Sequence, residues 1–123
     1  MKKLIFSIIA SFCFLFAIAQ PKDLLLKLEK GEIETEEYAK SNTSHYTKVV
    51  NLKTDQQIKF EKIYQKEADK LRLIASLKSD QAELYSKKEK AVFINTRQAV
   101  KLVLDRNQWR KYVLHERMNK LKK

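Results

Sequence analysis

The chain holds one glycine (Gly31), one proline (Pro21) and one cysteine (Cys13) in 123 residues. So few turn formers argue against hairpins, sandwiches and glycine-rich ligand loops. One cysteine allows no internal disulfide and no thiolate metal cluster. Neither a phosphate-binding loop nor a Gly-x-Ser-x-Gly elbow is present. His45 and His115 are the only histidines, and they lie far apart in the sequence. His115 and Glu116 are neighbours, so on a helix they point about 100° apart and share a site poorly. A metal site would need further ligands, for example across a dimer. The sequence therefore assigns no catalytic residue, no metal and no cofactor, and the chain is not expected to be an enzyme.

The N-terminus carries a targeting pattern. Lys2 and Lys3 precede an apolar run from Leu4 to Ile18, and Ala17-Ile18-Ala19 is a small-x-small site. The run is too short for a spanning helix and reads as a secretory signal peptide over residues 1–19, cleaved after Ala19. Cys13 lies inside that run behind Phe12, which argues against lipidation. Residues 20–123 then form one small domain without cysteine, held by packing alone. The mature protein is therefore expected to be exported beyond the inner membrane.

Charge is one-sided. There are 26 Lys and Arg against 15 Asp and Glu, a net +11, and removing Lys2 and Lys3 leaves +9. In the cytosol this would suggest nucleic acid. For an exported chain the expected partners are acidic protein surfaces, anionic lipid or polyanionic glycan, and nucleic acid is not expected. Plain solubility is the simpler reading of the same balance.

What is abundant is helix-forming: Lys, Glu, Gln, Leu and Ala. The mature chain reads as all-α. Asp23 to Lys30 is a short helix closed by Gly31. Glu34 to Asn51 is a second, with a Ser/Thr/Asn-rich middle (41–47) that favours a break. Thr54 to Lys78 carries Phe60, Tyr64, Leu71 and Ile74 on one face, widened by Ile63 and Leu77, with Glu67 expected at its edge. Ser79 to Gln81 is either a bend or part of a continuous helix. Asp80 with Glu83 resembles a capping box and favours the bend. The next helix runs to Leu104 with Leu84, Val92, Ala99 and Val103 in a stripe beside Phe93 and Val100. Asp105 opens the last helix, which ends in the tail Lys120 to Lys123.

Two segments repeat each other: Leu52-Lys53-Thr54-Asp55-Gln56-Gln57-Ile58-Lys59-Phe60 and Leu104-Asp105-Arg106-Asn107-Gln108-Trp109-Arg110-Lys111-Tyr112. Both fit Leu-x-x-x-Gln-x-x-Lys-aromatic. In the second, Asp105 can cap, Gln108 at N3 can close a capping box, and Leu104 can staple to Trp109. In the first, strict register puts Lys53 at the cap. Shifting by one makes Thr54 the cap and Gln57 its N3 partner, and Thr54 is the expected cap. Phe60 and Tyr112 are expected to bury against neighbouring helices.

The two Leu-x-x-x-Gln motifs, some fifty residues apart in a small, basic, exported, helical chain, resemble the LTxxQ motifs of the Spy/CpxP family of periplasmic proteins. Asn51-Leu52 also resembles the Asn-Leu-Thr spelling of its Bacteroidetes-type members. The likeness spans about Tyr38 to Met118 and departs at Lys53 and Asp105, where the family usually has threonine. The resemblance implies a bent helical hairpin with short flanking helices, able to form an antiparallel, cradle-shaped dimer. It also implies an ATP-independent, chaperone-like protein that binds unfolded or partly folded envelope proteins. The alternative is a stress-regulatory or structural protein with one folded partner. Lys59, Lys62, Lys66, Lys70 and Arg72 are candidates for a client-binding surface, and the same lysines also read as a solvated face beside Glu61, Glu67 and Asp69. The last helix, with Arg110, Lys111, Arg117, Val113, Leu114 and Met118, reads either as a docking face or as a weak contact for anionic membrane.

Overall fold

The computed structural model describes residues 21–121, with side chains for 24–119. The signal-peptide reading of residues 1–19 lies outside the described residues. Within them the chain is all-α: α1 (Pro21–Glu29), α2 (Thr35–Val50), α3 (Thr54–Ile74), α4 (Leu77–Asp80), α5 (Ala82–Val103) and α6 (Arg106–Leu121). Long helices α3 and α5 fold back on each other through α4 to make a bent hairpin. Helix α2 packs along α3 and also meets α6, while α1 touches α2 and α3.

Local chemistry explains most boundaries. Gly31 follows α1 with φ of 76°, a left-handed conformation open to glycine. Asn51 ends α2 in the same region, φ 60°, which asparagine tolerates better than other side chains. The expected break at 41–47 does not occur. Asn42 Nδ2 donates to the Tyr38 carbonyl at 3.0 Å, Thr43 Oγ1 to Ala39 at 2.9 Å and Thr47 Oγ1 to Thr43 at 2.7 Å. Each polar side chain thus bonds back one turn, so the helix absorbs the segment that its composition argued against.

The turn between the long helices starts earlier than the sequence suggests, because α3 ends at Ile74 rather than Lys78. The Asp80–Glu83 box is not the device used. Asp80 closes α4, and the cap of α5 is Gln81, without a side-chain bond.

The core runs between α2, α3, α5 and α6, with Leu24 and Leu28 of α1 closing one side. Tyr112, Phe60, Leu28, Leu71, Val50 and Val100 are its most enclosed large side chains. The α3 stripe is confirmed at Phe60, Tyr64 and Leu71. Glu67 is not at its edge: it is buried, at 5 % exposure. On α5, Val92 and Val100 are buried but Leu84 stays exposed, and Tyr85 is the buried residue of that turn.

Candidate functional site

The two repeated motifs meet. Helix α3 begins where α2 ends and α6 begins where α5 ends, and the antiparallel α3–α5 pair brings both junctions to the same end of the molecule. There Gln56 and Gln108 face each other as a reciprocal amide pair. Gln56 Nε2 donates to Gln108 Oε1 at 2.8 Å, and Gln108 Nε2 donates back to Gln56 Oε1 at 2.9 Å. Each oxygen also accepts the cap amide of its own helix, Lys53 N–H at 2.9 Å and Asp105 N–H at 3.1 Å. Each nitrogen also donates to the end of the opposite preceding helix: Gln56 to Val103 at 3.1 Å, Gln108 to Val50 and Asn51 at 3.3 Å. Every donor and acceptor of both buried amides is used. Leu52, Leu104, Phe60 and Tyr112 of the same two motifs are buried in the core.

The register of the first motif is therefore the strict one, and the expectation of a Thr54 cap is corrected. Lys53 occupies the cap position in extended backbone, and Thr54 is the first residue of α3. The cause is tertiary. Gln56, not Gln57, must stand at N3 to reach Gln108. A lysine side chain has no acceptor to offer the first turn, so only the glutamine half of the box is made. Gln57 instead donates to the Leu52 carbonyl at 3.2 Å. The second motif forms the whole box, with Asp105 Oδ1 accepting from Gln108 N–H at 2.8 Å. Trp109 packs against the core rather than entering it, stacked on Tyr112 and covered by Arg97 and Lys101.

A second buried polar group lies further along the hairpin. Tyr38 and Tyr46 of α2, Tyr64 of α3 and Tyr112 of α6 surround Glu67. Tyr38 Oη donates to Glu67 Oε2 at 2.5 Å, and Tyr64 and Tyr112 share a hydroxyl hydrogen bond of 2.9 Å. The Tyr46 ring lies 4.8 Å from that of Tyr112 and 5.9 Å from that of Tyr64. Burial raises the Glu67 pKa to about 7, hydrogen bonds from Tyr38 and Thr96 work against that rise, and the charge of Glu116 adds to it. Burial likewise holds all four tyrosines above their ordinary value. These groups line a cavity of about 200 Å³, completed by Asn42, Thr96, Leu25, Phe93 and Glu116.

The fold also joins the two histidines that the sequence keeps apart. His45 Nε2 and His115 Nε2 are 2.8 Å from each other where α2 meets α6. One ring must donate and the other accept. Burial lowers the His45 pKa to about 4, aided by His115 and Lys48, so His45 is neutral at pH 7. Among the described residues no group of three or more His, Cys, Asp or Glu is placed to hold a metal ion.

The candidate client-binding residues divide. Lys62, Lys66 and Lys70 stand along one side of a groove between α3 and α5, of about 440 Å³, floored by Ile63, Val92 and Ala99. A second depression of about 260 Å³ shares Lys70, Val92 and Asn95 and extends it past Leu73 and Ile74 to Lys88. Lys59 is exposed but does not line the groove. Arg72 has turned inward: its guanidinium donates to the carbonyls of Leu28 at 3.3 Å and Ile33 at 2.7 Å. It fastens the α1–α2 connection and is not part of an open basic surface.

Sequence reasoning missed Glu67 and the histidine pair. Glu67 stands three residues after Tyr64 and four before Leu71, a buried-stripe spacing that its charge obscured. Nothing local could bring His45 to His115, because that contact depends on how α2 and α6 pack. Among the described residues no helix is long and apolar enough to cross a membrane. Comparison of the chain with protein-family models, with curated proteins and with solved structures gives no match.

Proposed function

We propose that this chain is a periplasmic, ATP-independent, chaperone-like protein of the Spy/CpxP type that holds partly unfolded proteins along the α3–α5 groove. One observation carries the reading: an apolar floor of Ile63, Val92 and Ala99 lies beside a lysine row spaced one helical turn apart. Lysines attract acidic segments over long range and speed encounter. The apolar floor then retains side chains that a folded client would keep inside. Preference for unfolded over folded clients needs no nucleotide, since mass action alone drives release once the client folds. Binding, rather than catalysis, is the activity.

The test is suppression of aggregation of a chemically denatured client at equimolar protein. The wild type should suppress it, Lys62→Glu/Lys66→Glu/Lys70→Glu should not, and Lys59→Glu should behave as wild type. Absence of suppression by the wild type would remove the chaperone reading. A pull-down from envelope extract yielding one stoichiometric partner would replace it with a regulatory role. Mass spectrometry of the exported protein checks the compartment: the mature chain should begin at Gln20, and one beginning at Met1 would contradict cleavage.

A second reading has its own observation. Leu114 and Met118 are about half exposed, on the same side of α6 as exposed Arg110, Lys111 and Arg117. That mixed basic and apolar face suits weak contact with anionic lipid. Flotation with acidic vesicles at low salt, lost in Leu114→Ser/Met118→Ser, would support it; flotation of the variant equal to wild type would not.

A further inference from the structure

We propose that the tyrosine-lined cavity at Glu67 is a binding site for a small alkylammonium cation. The inference goes beyond client binding, although Glu67 and Thr96 line both this cavity and the α3–α5 groove. The cavity lies among α2, α3, α5 and α6. Its inner wall is Tyr38, Tyr46, Tyr64, Tyr112 and Glu67, each at 5 % exposure or less. Partly exposed Phe93, Leu25 and Glu116 form its outer side. About 200 Å³ is smaller than the ~300–1,000 Å³ of sites for drug-sized ligands and suits a ligand of a few heavy atoms.

The chemistry of the lining selects the charge. In a chain of net charge +11, this cavity is lined by the Glu67 and Glu116 carboxyl groups and by five aromatic side chains. Aromatic faces carry the negative part of the ring quadrupole and attract alkylammonium groups. Among the described residues the ion pairs are Lys78–Glu29 and Arg97–Glu116, and no Lys or Arg reaches Glu67 within ion-pair distance. A buried carboxylate without a cation is costly, and an ammonium in the cavity would offset that cost.

The groups facing Glu67 are known on every side. Helix α2 gives Tyr38 and Tyr46, α5 gives Thr96, and α6 gives Tyr112 and Glu116, whose carboxylate lies 3.8 Å from Arg97. On α3 itself are Tyr64 and the groove lysines Lys62, Lys66 and Lys70. His45 and His115 lie behind Tyr46, 4.9 and 5.9 Å from its ring. Glu67 is the carboxylate that these surroundings hold partly protonated near neutrality, so ligand binding should strengthen as pH rises through that range.

The experiment titrates the full mature protein, freed of metal, with tetramethylammonium chloride against sodium chloride at matched ionic strength. Trp109 fluorescence is the readout, since the indole stacks on Tyr112. The expected result is a saturable change that is specific to the ammonium ion and tighter at pH 8 than at pH 5.5. Glu67→Gln should weaken it about tenfold. This isosteric variant keeps an acceptor for Tyr38, and circular dichroism checks its fold. Should that variant unfold, Phe93→Ala at the outer wall should weaken binding about threefold. No saturation by the wild type, equal affinity in a folded Glu67→Gln, or a response to zinc but not to the ammonium ion would overturn the proposal.

Discussion

Two polar centres are buried in this small helical protein, and they are built in opposite ways. The Gln56–Gln108 pair is neutral, reciprocal and closed, with both amides using all their hydrogen-bonding capacity on each other and on helix ends. The Glu67 centre is ionisable, lies beside a cavity, and has tyrosine hydroxyls and Thr96 around it but, among the described residues, no ion pair. A closed neutral network fixes geometry and has nothing left to offer a ligand. A buried carboxylate beside open space has unused charge. The contrast fits the first centre to scaffold and the second to the recognition proposed for it.

The largest expected effect separates the two centres by pH. With its pKa raised to about 7 from an ordinary 4.5, Glu67 binds more proton in the folded than in the unfolded chain. Its contribution to stability therefore falls as pH rises from about 4.5 to about 7, by on the order of 3 kcal/mol. His45, lowered to about 4, works the other way, and its contribution is lost as pH falls from about 6.5 toward 4. The two oppose each other in the acidic range, but His45 is common to the wild type and Glu67→Gln, so the difference between their profiles isolates Glu67. Urea melts between pH 4.5 and 7.5 should show the stability of the wild type falling relative to Glu67→Gln by that amount. Gln56→Leu should leave the wild-type pH slope unchanged. An equal slope in Glu67→Gln and wild type would break the contrast.

The next effect concerns closure. Gln108→Ala strands buried partners and should cost about 2–3 kcal/mol in urea unfolding, with Gln56→Ala similar. The double variant should cost clearly less than both losses added, because the two share a bond. Additivity would mean that the amides act independently. A smaller change tests the tyrosines: Tyr112→Phe removes the partner of the Tyr64 hydroxyl and should cost about 1 kcal/mol, measured by thermal melts. The smallest compares the caps. Asp105→Ala should cost about 1 kcal/mol, while Lys53→Ala should be near neutral, since lysine accepts no bond from the first turn. Lys53→Asp should stabilise by up to ~1 kcal/mol.

Much of the architecture was legible in the residues. Scarcity of glycine and proline, the 3.6-residue stripes and the box at Asp105 led to an all-helical hairpin with helices close to those observed. The failures share a cause. Asn and Thr in the 41–47 segment allow a break in the helix over 34–51 because they compete with the backbone, yet here they bond back within α2. Thr54 was preferred as a cap on local chemistry, yet Gln56 is held at N3 by Gln108. Arg72 was grouped with the lysines by sequence, yet it reaches the carbonyls of Leu28 and Ile33.

The sequence by itself determined the helices, their apolar faces and the presence of two similar helix starts, because these depend on neighbours within a turn or two. Tertiary structure alone decided that the two glutamines meet, that His45 touches His115, and that Glu67 lies inside. Those outcomes depend on where α2, α3, α5 and α6 pack against one another. A buried charge or a shared hydrogen bond exists only once distant segments have excluded water between them.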